Sequence, residues 1–128
     1  MRILLDTAVF LWAVSDAPEF SQEAREIFAD PGNEIYLSCV SAWEIAVKHA
    51  LGKLSLPEPP GRFVPFQRKQ HGIESLPLDE DAALHLTRLP LLHRDPFDRM
   101  LVCQAIVHHL AILTPDELIQ KYTVRTIW

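Results

Sequence analysis

Short unbroken apolar blocks alternate along the chain with longer stretches whose apolar residues recur at helical spacing. Blocks such as Ile3-Leu4-Leu5, Ile35-Tyr36-Leu37 and Ala111-Ile112-Leu113 lack the in–out alternation of a half-exposed strand. A run that is apolar on both faces belongs inside a parallel sheet covered by helices. The pattern predicts strands at 2–5, 34–38, 73–76, 111–113 and 124–127. It predicts helices at 7–14, 22–29, 42–51, 61–70, 80–88 and 96–109, and a short one reaching Gln120.

Punctuation supports these bounds. Ser21, Ser41, Asp79 and Asp95 are placed as N-caps, and Pro96 suits a first helical position. Ser41 with Glu44, and Thr114 with Glu117, have the spacing of a capping box. Gly52 and Gly72 stand where helices end, and 53–60 is a proline-rich loop. Pro65 falls near the first turn of the 61–70 helix. Alternating strands and helices imply an α/β sandwich with a mostly parallel central sheet. Ligands of such sheets gather beyond the carboxyl ends of the strands.

Composition narrows the class. The 128 residues, 48% of them apolar, suit one domain over 1–128 that buries about two-thirds of its unfolded surface. Cys39 and Cys103 lie in apolar runs and read as two buried thiols of a reducing cytoplasm. No cysteine–histidine spacing suggests zinc, and His108-His109 reads as a solvated helix end. Met1-Arg2 and a run cut short at Asp6 do not make a signal peptide. The longest apolar run, 8–14, is far below the about 18 residues of a membrane span. No glycine-rich phosphate loop occurs.

The net charge of -5 argues against coating nucleic acid by bulk charge. Its distribution matters more. Residues 16–34 hold Asp16, Glu19, Glu23, Glu26, Asp30 and Glu34 against Arg25 alone, so the rest of the chain is neutral. Lys48, Lys53, Arg62, Arg68 and Lys69 form a basic stretch suited to an RNA path or to an ordinary solvated face.

Five acids fall at the predicted carboxyl edge. Asp6 ends the first strand, and Glu44 lies early in the helix after the second. Asp95 and Asp98 open the helix at Pro96, and Asp116 follows the strand ending at Leu113. Each has a local explanation as a cap or a dipole partner. Clustered carboxylates repel, and a hard divalent ion such as Mg²⁺ or Mn²⁺ relieves them. Such ions support phosphodiester hydrolysis.

The runs Leu4-Leu5-Asp6-Thr7, Ser41-Ala42-Trp43-Glu44, His93-Arg94-Asp95-Pro96-Phe97-Asp98-Arg99 and Leu113-Thr114-Pro115-Asp116 resemble the PIN-domain family, in its VapC-like toxin branch. The resemblance covers essentially the whole chain. It implies a PIN-like three-layer sandwich and a Mg²⁺- or Mn²⁺-dependent endoribonuclease, commonly the toxin of a toxin–antitoxin pair. It places the catalytic and metal-binding acids on Asp6, Glu44, Asp98 and Asp116. It also implies a homodimer and a small antitoxin protein. Asp98 is preferred to Asp95 because it directly precedes the Arg99-Met100-Leu101 helix. The chain departs from the common Asp-Thr-His form of the first motif at Ala8, which leaves the acids intact.

Arg99 and Lys48 are the candidate substrate-binding cations, Arg99 because its fork suits phosphate oxygens. An ion pair of Arg99 with Asp95 is the alternative. Thr7 or Thr114 would hydrogen-bond an acid or a metal-bound water. A phosphatase of the haloacid-dehalogenase type also begins strand–Asp, but it needs a second Asp where this chain has Ala8. A housekeeping RNA- or DNA-processing nuclease and a non-catalytic binding module remain as competing readings.

Overall fold

A computed structural model describes residues 1–128. Five strands form one sheet in the order β3-β2-β1-β4-β5. They are β1 (Arg2–Leu5), β2 (Glu34–Ser38), β3 (Glu74–Leu76), β4 (Ala111–Leu113) and β5 (Thr126–Ile127). All four pairings are parallel, so the expectation of a mostly parallel sheet becomes a wholly parallel one. β1 is central: Ile3 faces Ile35 across one ladder and Ala111 across the other.

The helices are α1 (Thr7–Ser15), α2 (Gln22–Ala29), α3 (Cys39–Ala50), α4 (Pro60–Gln70), α5 (Glu80–His85), α6 (Pro96–His108) and α7 (Glu117–Gln120). Alternate strand residues feed two separate cores, which is why the strand blocks are apolar throughout. Ile3, Leu5, Ile35, Leu37 and Leu113 pack with Val9 and Phe10 of α1, Ala24 of α2, Ile45 of α3 and Phe63 of α4. Leu4 and Ile112 point the other way, onto Leu101, Val102 and Ala105 of α6 and Ile119 of α7. Burying one such aliphatic side chain stabilises the fold by about 1.5–3 kcal/mol. No helix is long and apolar enough to cross a membrane.

Several local expectations change. α3 starts three residues earlier than predicted, at Cys39, because Ser38 accepts from the Val40 amide at 3.0 Å and caps it. Ser41 therefore lies inside the helix, buried, and no Ser41–Glu44 capping box forms. Likewise Asp116, not Thr114, caps α7 by accepting from Leu118 N–H at 2.8 Å. Asp79 occupies the N-cap position of α5, but its side chain bonds His108 Nε2 at 2.7 Å instead of the helix. His108 is thereby tied down, while His109 ends α6 in the left-handed region at φ 56°. The predicted 80–88 helix tightens into a 3₁₀ turn at Leu86–Arg88. Cys103 is buried as expected, but Cys39, the first residue of α3, is exposed, its sulfur accepting from the Leu78 amide.

Candidate metal and substrate cleft

β1, β2 and β4 all end at one edge of the sheet, and each hands a polar group to it. Asp6 directly follows β1. Its side chain makes no bond to α1; it accepts instead from Thr114 Oγ1, just past β4, at 2.7 Å. Thr114 Oγ1 also accepts from the Asp116 amide at 3.0 Å, so one hydroxyl ties two of the acids together. Thr7 donates to Ser41 Oγ at 2.8 Å and locks α1 against α3.

That lock sets Glu44, one turn beyond Ser41, over the same edge. Glu44 is only 4% exposed. Its Oε2 bonds Lys48 Nζ, one further turn along α3. Its Oε1 is buried with no hydrogen-bond partner. A buried carboxylate oxygen without a partner is costly, and native proteins leave few of them.

α6 supplies the third wall. Asp95 caps it, Oδ1 accepting from the Phe97 and Asp98 amides at 2.8 and 3.1 Å. Asp98, 9% exposed, accepts from His93 Nε2 at 2.8 Å. Asp116 Oδ2 lies 3.9 Å from the same nitrogen.

The result is a cleft of about 350 Å³. Asp6, Glu44, Asp95, Asp98 and Asp116 line it against two cations, Lys48 and Lys53. Burial pushes the Asp6 carboxyl up, with Asp116 and Glu44 adding repulsion and the Thr114 bond partly offsetting it. Asp98 is pushed up to about 7, first by burial, then by the charges of Asp6 and Asp95, against the lowering effect of the His93 bond. Lys48 is held above its ordinary value by its bond to Glu44.

The residues present fit a hard divalent cation. The donors are carboxylate oxygens, two of them are held back from ionising, and Glu44 Oε1 has no protein partner. Oxygen-rich sets of this kind suit Mg²⁺ or Mn²⁺. A ring nitrogen of His93 and carboxylate oxygens of Asp98 and Asp116 lie within 4.8 Å of one another.

All four predicted acids reach the cleft, as do Lys48 and Ala8. Arg99 does not line it. Its Nη2 donates to the Leu89 carbonyl at 3.2 Å, and no ion pair with Asp95 forms. Of the basic stretch only Lys48 and Lys53 line the cleft; Arg62 faces Glu58, and Arg68 donates to the Ile73 carbonyl. The residue that sequence reasoning missed is His93. It lies in a loop, five positions before Asp98, where no periodicity reports which way a side chain turns.

Residues 3–124 match the PIN domain family. Over 69 residues the chain is 41% identical to Ribonuclease VapC16 of Mycobacterium tuberculosis. That alignment covers 54% of this chain and 49% of the relative, so the chain spans about half the length of the curated relative it matches. Among solved structures, the fold is similar to that of VapBC2 from Rickettsia felis bound to a DNA fragment from their promoter. The TM-score is 0.75 at 15% identity, covering 99% of this chain and 98% of that one. VapBC-1 from nontypeable Haemophilus influenzae gives a TM-score of 0.65 at 15% identity, covering 99% and 97%. A toxin–antitoxin complex from Klebsiella pneumoniae gives 0.63 at 15% identity, covering 98% and 96%. At these identities the structural likeness speaks for the fold.

Proposed function

The chain belongs to the PIN-domain family, and from that premise we propose that it is a Mg²⁺- or Mn²⁺-dependent endoribonuclease, the toxin of a toxin–antitoxin pair. One observation carries the reading: four carboxylates, from the ends of β1 and β4 and from α3 and α6, converge while Glu44 Oε1 is buried without a partner. A fold that only needed caps would not bury that oxygen.

Asp6, Glu44, Asp98 and Asp116 would hold the cation, which supplies an acidified water and charge for a phosphodiester's developing oxyanion. Thr114 holds Asp6 in place and Asp95 fixes the start of α6. Lys48 and Lys53 face incoming phosphate; the ammonium of Lys48 is shared with Glu44 until an anion competes for it. Arg99, whose fork turns toward the Leu89 carbonyl, would have to swing round to join them. The VapC16 relative supports RNA as substrate, and the likeness to a toxin–antitoxin complex supports a small antitoxin as partner. We place the protein in the cytoplasm as a homodimer. Trp43, exposed on α3 and edge-on to Phe97 at 4.9 Å, supports a second copy docking there.

The direct test is single-stranded RNA incubated with the purified chain. Cleavage with Mn²⁺ that stops on chelation is expected. Persistence of full cleavage without any divalent ion, or Mn²⁺ binding with no cleavage of RNA, would sink the reading. Neutralising Lys48 and Lys53 should also flatten the salt dependence of RNA binding by nearly two charges. An unchanged slope removes them from the RNA path.

A further inference from the structure

His93 is not one of the four acids, yet it bonds one of them and faces a second. We propose that His93 is a positioning residue that sets the spacing of Asp98 and Asp116 for the cation, and that Tyr122 holds His93 in place to do so. The proposal rests on the metal-dependent reading above.

The geometry assigns the imidazole a donor's role. The Asp95 amide points at His93 Nδ1 at 3.4 Å, so Nδ1 is the acceptor. The hydrogen of the neutral ring then sits on Nε2, which faces Asp98 Oδ2 at 2.8 Å and Asp116 Oδ2 at 3.9 Å. A nitrogen carrying a hydrogen offers no lone pair to a cation. His93 therefore orients oxygen ligands and leaves the site an all-oxygen one, in keeping with Mg²⁺ or Mn²⁺.

The backbone that carries the ring is fixed from behind. The Tyr122 hydroxyl oxygen accepts from both the Leu92 and the His93 amides, at 3.1 and 2.9 Å. Tyr122 is 5% exposed and packed in the core beneath α6 and α7. This clamp pins a loop that otherwise has no regular structure, from Leu89 to Asp95. The chain thus reaches back from beyond α7 to fix a loop before α6, and the loop in turn fixes the acids on both helices. Groups that orient metal ligands in this way are worth about 10–100-fold in metal affinity.

Mn²⁺ binding to the full chain, measured by calorimetry, tests this without relying on turnover. His93→Ala should weaken binding by about 10–100-fold. His93→Gln, whose amide N–H can reach where Nε2–H stands, should recover most of it. Tyr122→Phe, which removes only the accepting oxygen, should give an intermediate loss. Far-UV circular dichroism is the check that each variant is folded. Affinity within twofold of wild type in His93→Ala overturns the proposal. So does equal loss in His93→Ala and His93→Gln, which would make the imidazole itself a ligand. If His93→Ala does not fold, His93→Gln and Tyr122→Phe decide the matter. If wild type binds no Mn²⁺, the metal-dependent reading falls; if wild type binds Mn²⁺ and cuts RNA but the variants match it, only the role of His93 falls.

Discussion

Asp98→Asn is expected to lose at least about a thousand-fold in metal-dependent RNA cleavage while the metal-free protein becomes more stable to heat. The two effects share one cause. Asp98 is buried at 9% exposure among Asp6, Asp95 and Glu44, and its carboxylate is disfavoured there until a cation arrives. An amide of the same shape still accepts from His93 Nε2 but carries no charge to repel its neighbours. A cation contributes several kcal/mol to a phosphodiester transition state, and each 1.36 kcal/mol is tenfold in rate, so a thousand-fold loss is about 4 kcal/mol. Comparing initial rates with Mn²⁺ and melting curves in chelator measures both. A variant that is less stable and still active would mean that Asp98 is a structural acid. Asp6→Asn should lose activity equally, while its amide oxygen can still accept the Thr114 hydrogen bond.

The second large effect is on pH dependence. Without metal, the fold should lose stability as pH rises from about 4 to about 8, by an amount on the order of a few kcal/mol. Asp98 titrates near 7 in the folded chain against an ordinary 3.8. Between those values the native state holds a proton that the unfolded state has released. Stability therefore falls with rising pH across that window and levels off above it. Asp6, also shifted upward, adds in the same direction. Saturating Mn²⁺ should reverse the slope, because the ion binds the deprotonated site and competes with protons. Denaturant midpoints at pH 5 and pH 8, with metal and with chelator, test both signs. A metal-free chain equally stable at both would show that the acids lie farther apart in solution than in this structure.

The sheet and the acid edge were legible because they rest on strong local signals. Strands apolar on both faces, with an acid at the end of β1 and after β4, leave few arrangements in which those acids do not meet. What local rules misjudged were the competing caps. Ser41 and Glu44 satisfy the capping-box spacing, but Ser38 sits at the sheet's end and starts α3 first. Burial of Ser41 against Thr7 then turns Glu44 into the cleft. Arg99 shows the same limit. Its spacing suits a phosphate, yet a step of one residue past Asp98 on α6 carries its fork toward Leu89. His93 was beyond reach because its position depends on Tyr122, about thirty residues away, through two backbone amides that no side-chain pattern encodes.

The bond from Thr114 to Asp6 spans 108 residues, and β1 is completed only when β4 pairs beside it. Contacts so distant along the chain form late in folding. During synthesis, Asp6 and Glu44 are made before the hydroxyl that orients Asp6 and before the carboxylate of Asp116. A partly translated chain thus holds an incomplete set of acids and no way to align them. Whatever chemistry the acids perform therefore waits until β4 and the residues just past it have been made and paired.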